Sequence, residues 1–278
     1  MSRKRYKILC LTVSVILAIL ILCCSINIFL SYKALSITEY NISSVGFADE
    51  INIAVLSDLH CSQFGKDNER LIRKVKASSP DLIFTVGDMV NKGSEDFTQL
   101  RILYPALAEI APVYSSLGNH ETYNPHLDEI KGILQEYSTF LDNEYIEINV
   151  KGTDIRLGSL SDYHPSFEDL NAYIRDFADT EKFTLLLSHC PEYYVWGVDE
   201  VKIDLMVSGH THGGQVILPF KGGVYAPEQG YFPKFDYGVF YEENATLVIT
   251  RGLGSSRQVA PRFNNPPEIV SLTLSPEV

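Results

Sequence analysis

Hydrophobic and polar positions divide the chain into one long apolar block followed by a series of short ones. Residues 8–30 carry no charge and are mostly Ile, Leu, Val, Ala and Cys. A helix of that length rises roughly 34 Å, slightly more than the hydrocarbon core of a bilayer at about 30 Å. Residues 34–50 then read as a connector and a leading strand. Residues 51–57 (INIAVLS) are the short apolar run of a buried strand and lead into Asp-Leu-His. Leu71, Ile72 and Val75 recur at helical spacing within 67–77, and Pro80 stops that helix. A second apolar strand at 81–86 ends in Gly-Asp, a helix is expected over 97–110, and a third strand at 113–117 ends in Gly-Asn-His-Glu.

This β-α-β-α-β alternation predicts crossover connections and a largely parallel or mixed sheet. Further strands are expected at 146–150, 155–160, 183–188 and 205–208. Beyond Gly213 the pattern turns β-rich, with candidates at 223–225, 237–241, 246–250 and 269–274. An α/β fold of two stacked mixed sheets flanked by helices accommodates them all. The organisation expected is a basic N-terminus (1–7), a transmembrane signal anchor (8–30), a linker (31–49) and one large folded domain (50–278).

Charge orients that anchor. Arg3, Lys4, Arg5 and Lys7 precede the apolar run and only Lys33 closely follows it. The positive-inside rule then places the N-terminus in the cytoplasm and the domain outside, in a single-pass protein of the cell membrane. A cleaved signal peptide is the competing reading, but its apolar region is normally shorter, about 7–15 residues. Tyr32-Lys33-Ala34 also lacks the small residue a cleavage site needs, and Leu22 before Cys23 is too bulky for a lipoprotein signal. The first 33 residues hold five basic and no acidic side chains, leaving 18 basic against 35 acidic in the remainder. Such a domain is a poor partner for nucleic acid, and nothing implies a protein partner. Bound divalent cations would neutralise part of the acidic excess. Of five cysteines only Cys61 and Cys190 lie outside the apolar segment. Two buried thiols are expected; because each follows a candidate ligand histidine, a disulfide or redox role stays open.

The polar clusters all follow apolar strand candidates: Asp58-Leu59-His60, Gly87-Asp88, Gly118-Asn119-His120-Glu121, Ser188-His189 and Gly209-His210-Thr211-His212. In open α/β sheets ligands bind beyond the carboxyl ends of strands, so these loops are expected to converge. Five of the seven histidines lie in them. Two aspartates, an amide oxygen and several imidazoles without thiolate suit Mn, Fe or Zn better than Ca or Mg. One carboxylate shared by two such ions would hold them about 3.5–4 Å apart, and a water between them would lose its proton near neutral pH and act as nucleophile. A histidine free of metal can supply a proton or positive charge to the leaving group.

The ordered series D-x-H, G-D, G-N-H-E, H and G-H-x-H, from Asp58 to His212, resembles the calcineurin-like metallophosphoesterase superfamily. Gly213-Gly214-Gln215, Arg251-Gly252-Leu253-Gly254, Arg262 and Pro267-Glu268-Ile269 extend the resemblance to its membrane-associated bacterial YkuE/YaeI-like branch. The resemblance implies a four-layer α/β/β/α sandwich and two divalent metal ions. Asp58, His60 and His212 would bind one ion, Asn119, His189 and His210 the other, and Asp88 both. His120 would face the scissile phosphate as general acid or electrostatic stabiliser, and Glu121 would orient ligands. The implied activity is hydrolysis of phosphomonoester, phosphodiester or pyrophosphate bonds. Substrates would be phosphorylated small molecules, lipids or envelope components, UDP-diacylglucosamine among the relatives' substrates. Arg251, Arg257 and Arg262 are candidates for phosphate or headgroup contact. His126 and His164 are expected in exposed or packing roles, with the substrate rim as the alternative place for His164. The aromatic stretch 224–241 is expected to pack in the sheet, with some rings able to meet headgroups. A tethered binding module without catalysis is the alternative from another class, which degenerate ligands would have favoured.

Overall fold

The structure, a computed structural model, describes residues 3–161, 167–255 and 261–277. It opens with helix α1 (Arg3–Lys33), of which only Ser31 is buried, then strand β1 (Ser36–Ser44). Next come β2 (Ile51–Leu56), α2 (Glu69–Ala77), β3 (Leu82–Val86), α3 (Thr98–Ala108), β4 (Val113–Ser116), the single turn α4 (Asn119–Thr122), α5 (Leu127–Tyr137) and β5 (Thr139–Phe140). The chain continues through β6 (Tyr145–Val150), β7 (Thr153–Leu160), α6 (Phe167–Ala178), β8 (Phe183–Ser188) and β9 (Leu205–Ser208). Four two-residue strands follow as two small hairpins: β10 (Ile217–Leu218) with β11 (Gly222–Gly223), and β12 (Tyr225–Ala226) with β13 (Gly230–Tyr231). The last strands are β14 (Gly238–Tyr241), β15 (Thr246–Ile249) and β16 (Glu268–Pro276).

Two six-stranded mixed sheets result, ordered β1-β16-β2-β3-β4-β5 and β14-β15-β9-β8-β7-β6. Alternation along each strand assigns its two faces. In β2, Ile51, Ile53 and Val55 enter the core between the sheets, while Ala54 and Leu56 face the helices α2, α3 and α5. In β8 and β9, Leu185, Leu187, Leu205 and Val207 meet that central core, whereas Leu186 and Met206 pack on α6 residues Leu170, Ile174 and Phe177. Strands buried on both faces read as continuous apolar runs, which is why the sequence showed them. The layers are α/β/β/α, as expected.

The segment 31–49 departs from its expected role as a linker. Helix α1 runs on to Lys33, only Ala34 and Leu35 intervene, and β1 then pairs along its whole length with β16 in parallel. As an edge strand with a thin apolar pattern (SITEYNISS), β1 gives little local signal, and its partner lies more than 200 residues away. The end of α1 is also bonded to the domain. Asn264 N donates to Asn27 Oδ1 (2.6 Å), Asn265 N to Ser31 Oγ (3.2 Å) and Arg262 N to the Tyr32 hydroxyl (3.2 Å).

Arg262 sits behind this junction and is fully buried. Its guanidinium donates to Gly254 O (2.9 Å), Asn265 O (3.3 Å), Gly252 O (3.2 Å) and Arg251 O. A planar five-donor fork suits that ring of carbonyls; a lysine ammonium does not. Arg262 is therefore corrected from a substrate contact to a buried clamp. Replacing it with methionine strips donors from four carbonyls, so Arg262→Met is expected to destabilise the fold by about 3 kcal/mol or more. Urea unfolding of the detergent-solubilised chain would measure this, and an unchanged midpoint would contradict the clamp.

Candidate metal centre

Each polar cluster emerges from a strand end, and the backbone there is bent unusually. Asp58, His60, Asp88, His210 and His212 all have φ between 47° and 69°, in the left-handed region that costs a non-glycine residue roughly 1–2 kcal/mol. That many unfavourable turns at one place point to a site that needs them. Close packing fixes the loops. A Cβ on Gly87 would lie 2.5 Å from Gly118 N, and one on Gly118 would lie 2.4 Å from Asp88 Oδ1. Only glycines let the β3 and β4 loops touch this closely.

Four groups of ligand atoms assemble among the described residues, each with its atoms within 4.8 Å of one another: Asp58 with His60 and His212, Asp88 with His60 and His120, Asp88 with His189 and His210, and Cys190 with Glu192 and His210. Asp88 is common to two of them. Its Oδ2 lies 3.6 Å from His60 Nε2 and 3.2 Å from His189 Nε2. Asp58 and Asp88 are almost wholly buried. Burial pushes the carboxyls of Asp58 and Asp88 up. Positive charge placed at the His212 and His189 rings for Asp58, and at His189 for Asp88, acts against it and holds both below the usual range. Buried anions at this density call for cations.

Hydrogen bonds at the far nitrogens sort the imidazoles. An imidazole nitrogen facing an acceptor must carry its proton, so the other nitrogen keeps a lone pair. His60 Nδ1 faces Asn91 Oδ1 (3.1 Å), His189 Nδ1 faces Val86 O (2.8 Å) and His210 Nε2 faces Glu228 Oε2 (2.7 Å). These three rings therefore present lone pairs to the centre, with the outer partners that metal-binding histidines need. His120 is the opposite case: the backbone N–H of Lys92 donates to its Nδ1 (3.0 Å), so its proton sits on Nε2, 4.0 Å from Asp88 Oδ2. It faces the centre as a donor. His60 Nε2 and His212 Nε2 stand 3.2 Å apart, a contact that a cation beside both relieves. Asn119 Oδ1 is buried and has no hydrogen-bond partner among the described residues, which suits an oxygen ligand. The donor set thus fits bound divalent ions.

Glu121 ties the loops together. Its carboxylate accepts from the backbone N–H groups of Asp88 (2.7 Å), Val90 (3.0 Å) and Gly118 (3.0 Å). Burial and the nearby Asp88 carboxylate raise it to about 7, against the Val90 and Gly118 donors. Sequence reading missed Glu228 and Asn91. Glu228 lies on the turn between β12 and β13, past any apolar strand end, so no local rule marked it; Asn91 follows the Gly-Asp block by three residues and carried no motif. The His210 N–H holds Glu228 below the usual carboxylate range.

The arginine expectations fare differently. Arg251 donates through Nε (3.1 Å) and Nη2 (2.8 Å) to Glu268, which is fully buried, so its charge is already matched. It is corrected to a structural ion pair. Arg257 and His164 lie outside the described residues. His126 is exposed at the start of α5, edge-on to Phe97. Cys61 and Cys190 form no disulfide among the described residues; Cys61 meets Ser94 Oγ, and Cys190 is buried near Glu192 and His210.

Comparison with known proteins agrees with this geometry. The family model for calcineurin-like phosphoesterases matches residues 51–214. The chain is 28% identical over 257 residues to the uncharacterized metallophosphoesterase YkuE of Bacillus subtilis, covering 88% of this chain and 87% of that one. An uncharacterized metallophosphoesterase of Aquifex aeolicus is 30% identical over 240 residues, 81% and 85% of the two chains. The phosphodiesterase YaeI of Escherichia coli is 29% identical over 242 residues, 82% and 83%.

Burial lowers His60 below its usual value and His212 to about 3, so the His212 ring is neutral well into mild acid. A cation captured by Asp58, His60 and His212 then competes with no proton on His212 and with less than an ordinary histidine's on His60. From about pH 7.5 to about pH 6 its affinity is expected to change less than about fourfold, where two ordinary histidines would cost roughly tenfold. Titration of free Mn at the two pH values checks this, and a tenfold loss would contradict it.

Proposed function

Because this chain belongs to the calcineurin-like phosphoesterase family and is a metal-dependent phosphoesterase, we propose that it is a membrane-anchored enzyme hydrolysing phosphodiester or pyrophosphate bonds with two divalent ions. Asp58, His60 and His212 hold one ion, Asn119, His189 and His210 the other, and Asp88 serves both. The observation that carries this reading is the sorting of ring nitrogens. His60, His189 and His210 offer inward lone pairs, and His120, in the same cluster, offers a proton. Mn, Fe or Zn suits these donors.

The bound ions supply Lewis acidity to the phosphoryl group and lower the pKa of the attacking water. The chain's own residues do the rest. Asp88 stays ionised and is aimed by the backbone N–H of His120 on its Oδ1 (2.8 Å). The Nε2–H of His120 donates to a phosphoryl or leaving-group oxygen, where charge grows in the transition state. This favours stabilisation by hydrogen bonding over proton transfer. With Arg251 and Arg262 engaged, exposed Lys92 is the better cation for the substrate, since its backbone holds His120 and its ammonium lies over the Tyr123 ring.

Helix α1 is long and apolar enough to span a bilayer. With basic residues at its start, it anchors the chain in the cell membrane with the domain outside. The two-residue junction between α1 and β1 keeps the site close to that membrane. A lipid-linked or envelope phosphodiester or pyrophosphate, such as a UDP-diacylglucosamine-like molecule, fits this position, and a relative named a phosphodiesterase agrees with the bond type.

Hydrolysis of bis-p-nitrophenyl phosphate and p-nitrophenyl phosphate by the Mn-loaded protein, with a chelated control, tests the reading. Asp88→Ala is expected to abolish turnover, and His120→Gln to lower kcat about 100- to 1,000-fold with metal content unchanged. Full turnover by Asp88→Ala, or none by the metal-loaded parent on either substrate, would overturn it in favour of a tethered binding module.

A further inference from the structure

The domain touches α1 within its apolar run as well as beyond it. Asn264 N donates to Asn27 Oδ1 at 2.6 Å, and residues 8–30 carry no charge. Asn27 lies roughly 9 Å before Lys33 along the helix axis. If α1 spans a bilayer, the domain surface beside Asn27 is therefore drawn down to headgroup level or slightly below.

What lies beside Asn27 is specific. Phe263 and Asn264 join α1 to the first small hairpin: Ile217 N donates to Phe263 O (3.0 Å), and Asn264 Nδ2 donates to Ile217 O (3.3 Å). That hairpin turns at Pro219, Phe220 and Lys221, and Phe220 is fully exposed. The second hairpin adjoins it, with Phe232 N donating to Val224 O (2.8 Å). Tyr231 and Phe232 are also exposed, and the Lys221 ammonium lies over the Phe232 ring. Exposed aromatics with a lysine on a strongly acidic domain are out of place against water but match the interfacial zone of a membrane.

We propose that the paired hairpins, through Phe220, Tyr231, Phe232 and Lys221, form a second membrane contact that seats in the headgroup region beside α1. The occupant is the lipid bilayer that α1 spans, so the inference rests on the anchoring reading. It also bears on the site. Glu228, whose carboxylate holds His210, sits on the turn leading into Tyr231. Gly214, two residues after His212, packs on the first hairpin, where its added Cβ would lie 2.4 Å from Gly223 Cα. The candidate metal centre is thereby brought near the lipid surface, where it would meet a phosphoester carried on a lipid.

Single-tryptophan fluorescence of the full chain tests this. The chain has one tryptophan, Trp196, so Trp196→Phe gives a silent background. Into it go Phe220→Trp, Phe29→Trp and Val45→Trp, all at exposed positions. Each is reconstituted in phosphatidylcholine–phosphatidylglycerol vesicles, with and without bromines near the headgroup end of the phosphatidylcholine acyl chains. Val45 follows β1 and lies roughly 30 Å along that strand from the end of α1, so it reports on the distal domain. Both Phe29→Trp and Phe220→Trp should lose about half or more of their emission to the brominated lipid, as indoles at interface depth do, and Val45→Trp should not. Quenching at Phe29→Trp with Phe220→Trp no more quenched than Val45→Trp overturns the second contact while leaving the anchor standing. No quenching at Phe29→Trp overturns the anchor and this proposal with it.

Discussion

Asp58 and Asp88 are buried side by side among imidazoles, and the rest of the site follows from making that arrangement tolerable. Two ionised carboxylates out of water are costly unless positive charge compensates them. Burial lowers the pKa of His60 and takes that of His212 to about 3, which works against imidazolium charge there. Divalent cations would supply the charge, and the backbone is shaped to place their candidate ligands. Five clustered residues adopt left-handed φ values, two loops meet glycine to glycine, and Glu121 spends a buried carboxylate on three backbone donors. None of these features serves the core. All hold side-chain atoms at one point between strand ends.

The same contacts separate the candidate ligands from His120. Five imidazoles lie together, and their residue type alone does not say which bind metal. Their outer partners do: an amide oxygen, a carbonyl and a carboxylate behind three of them, a backbone N–H behind His120. Under the proposed assignment, a change of outer partner is enough to convert a ligand into a hydrogen-bond donor.

Much of this was legible in the sequence because it lies at strand ends. Doubly buried strands such as β3, β8 and β9 read as apolar runs, and the Asp, Asn and His clusters directly follow them. What was not legible has non-local causes. Edge strand β1 depends on a partner at the other end of the chain, so the stretch read only as a connector and a leading strand, set outside the folded domain. Glu228 reaches His210 from a turn with no strand before it. Arg251 and Arg262 look like surface cations in a Gly- and Pro-rich loop, yet one pairs with buried Glu268 and the other is clamped among carbonyls. Composition shows that a charge is present but not what already neutralises it.

The chain from α1 to the site is short and continuous. Ser31 bonds Asn265, and the Asn265 side chain donates to the carbonyl of His212 at 2.6 Å. Helix α1 and the candidate centre are thus linked through Asn265 by two hydrogen bonds, which supports the proposed membrane substrate. The central claim remains the shared carboxylate. Electron paramagnetic resonance of the Mn-loaded protein tests it most directly. The account predicts two ions per chain with the multiline spectrum of an exchange-coupled pair, reduced to a single-ion spectrum in Asp88→Asn. One ion per chain, or a coupled pair that survives Asp88→Asn unchanged, would contradict it.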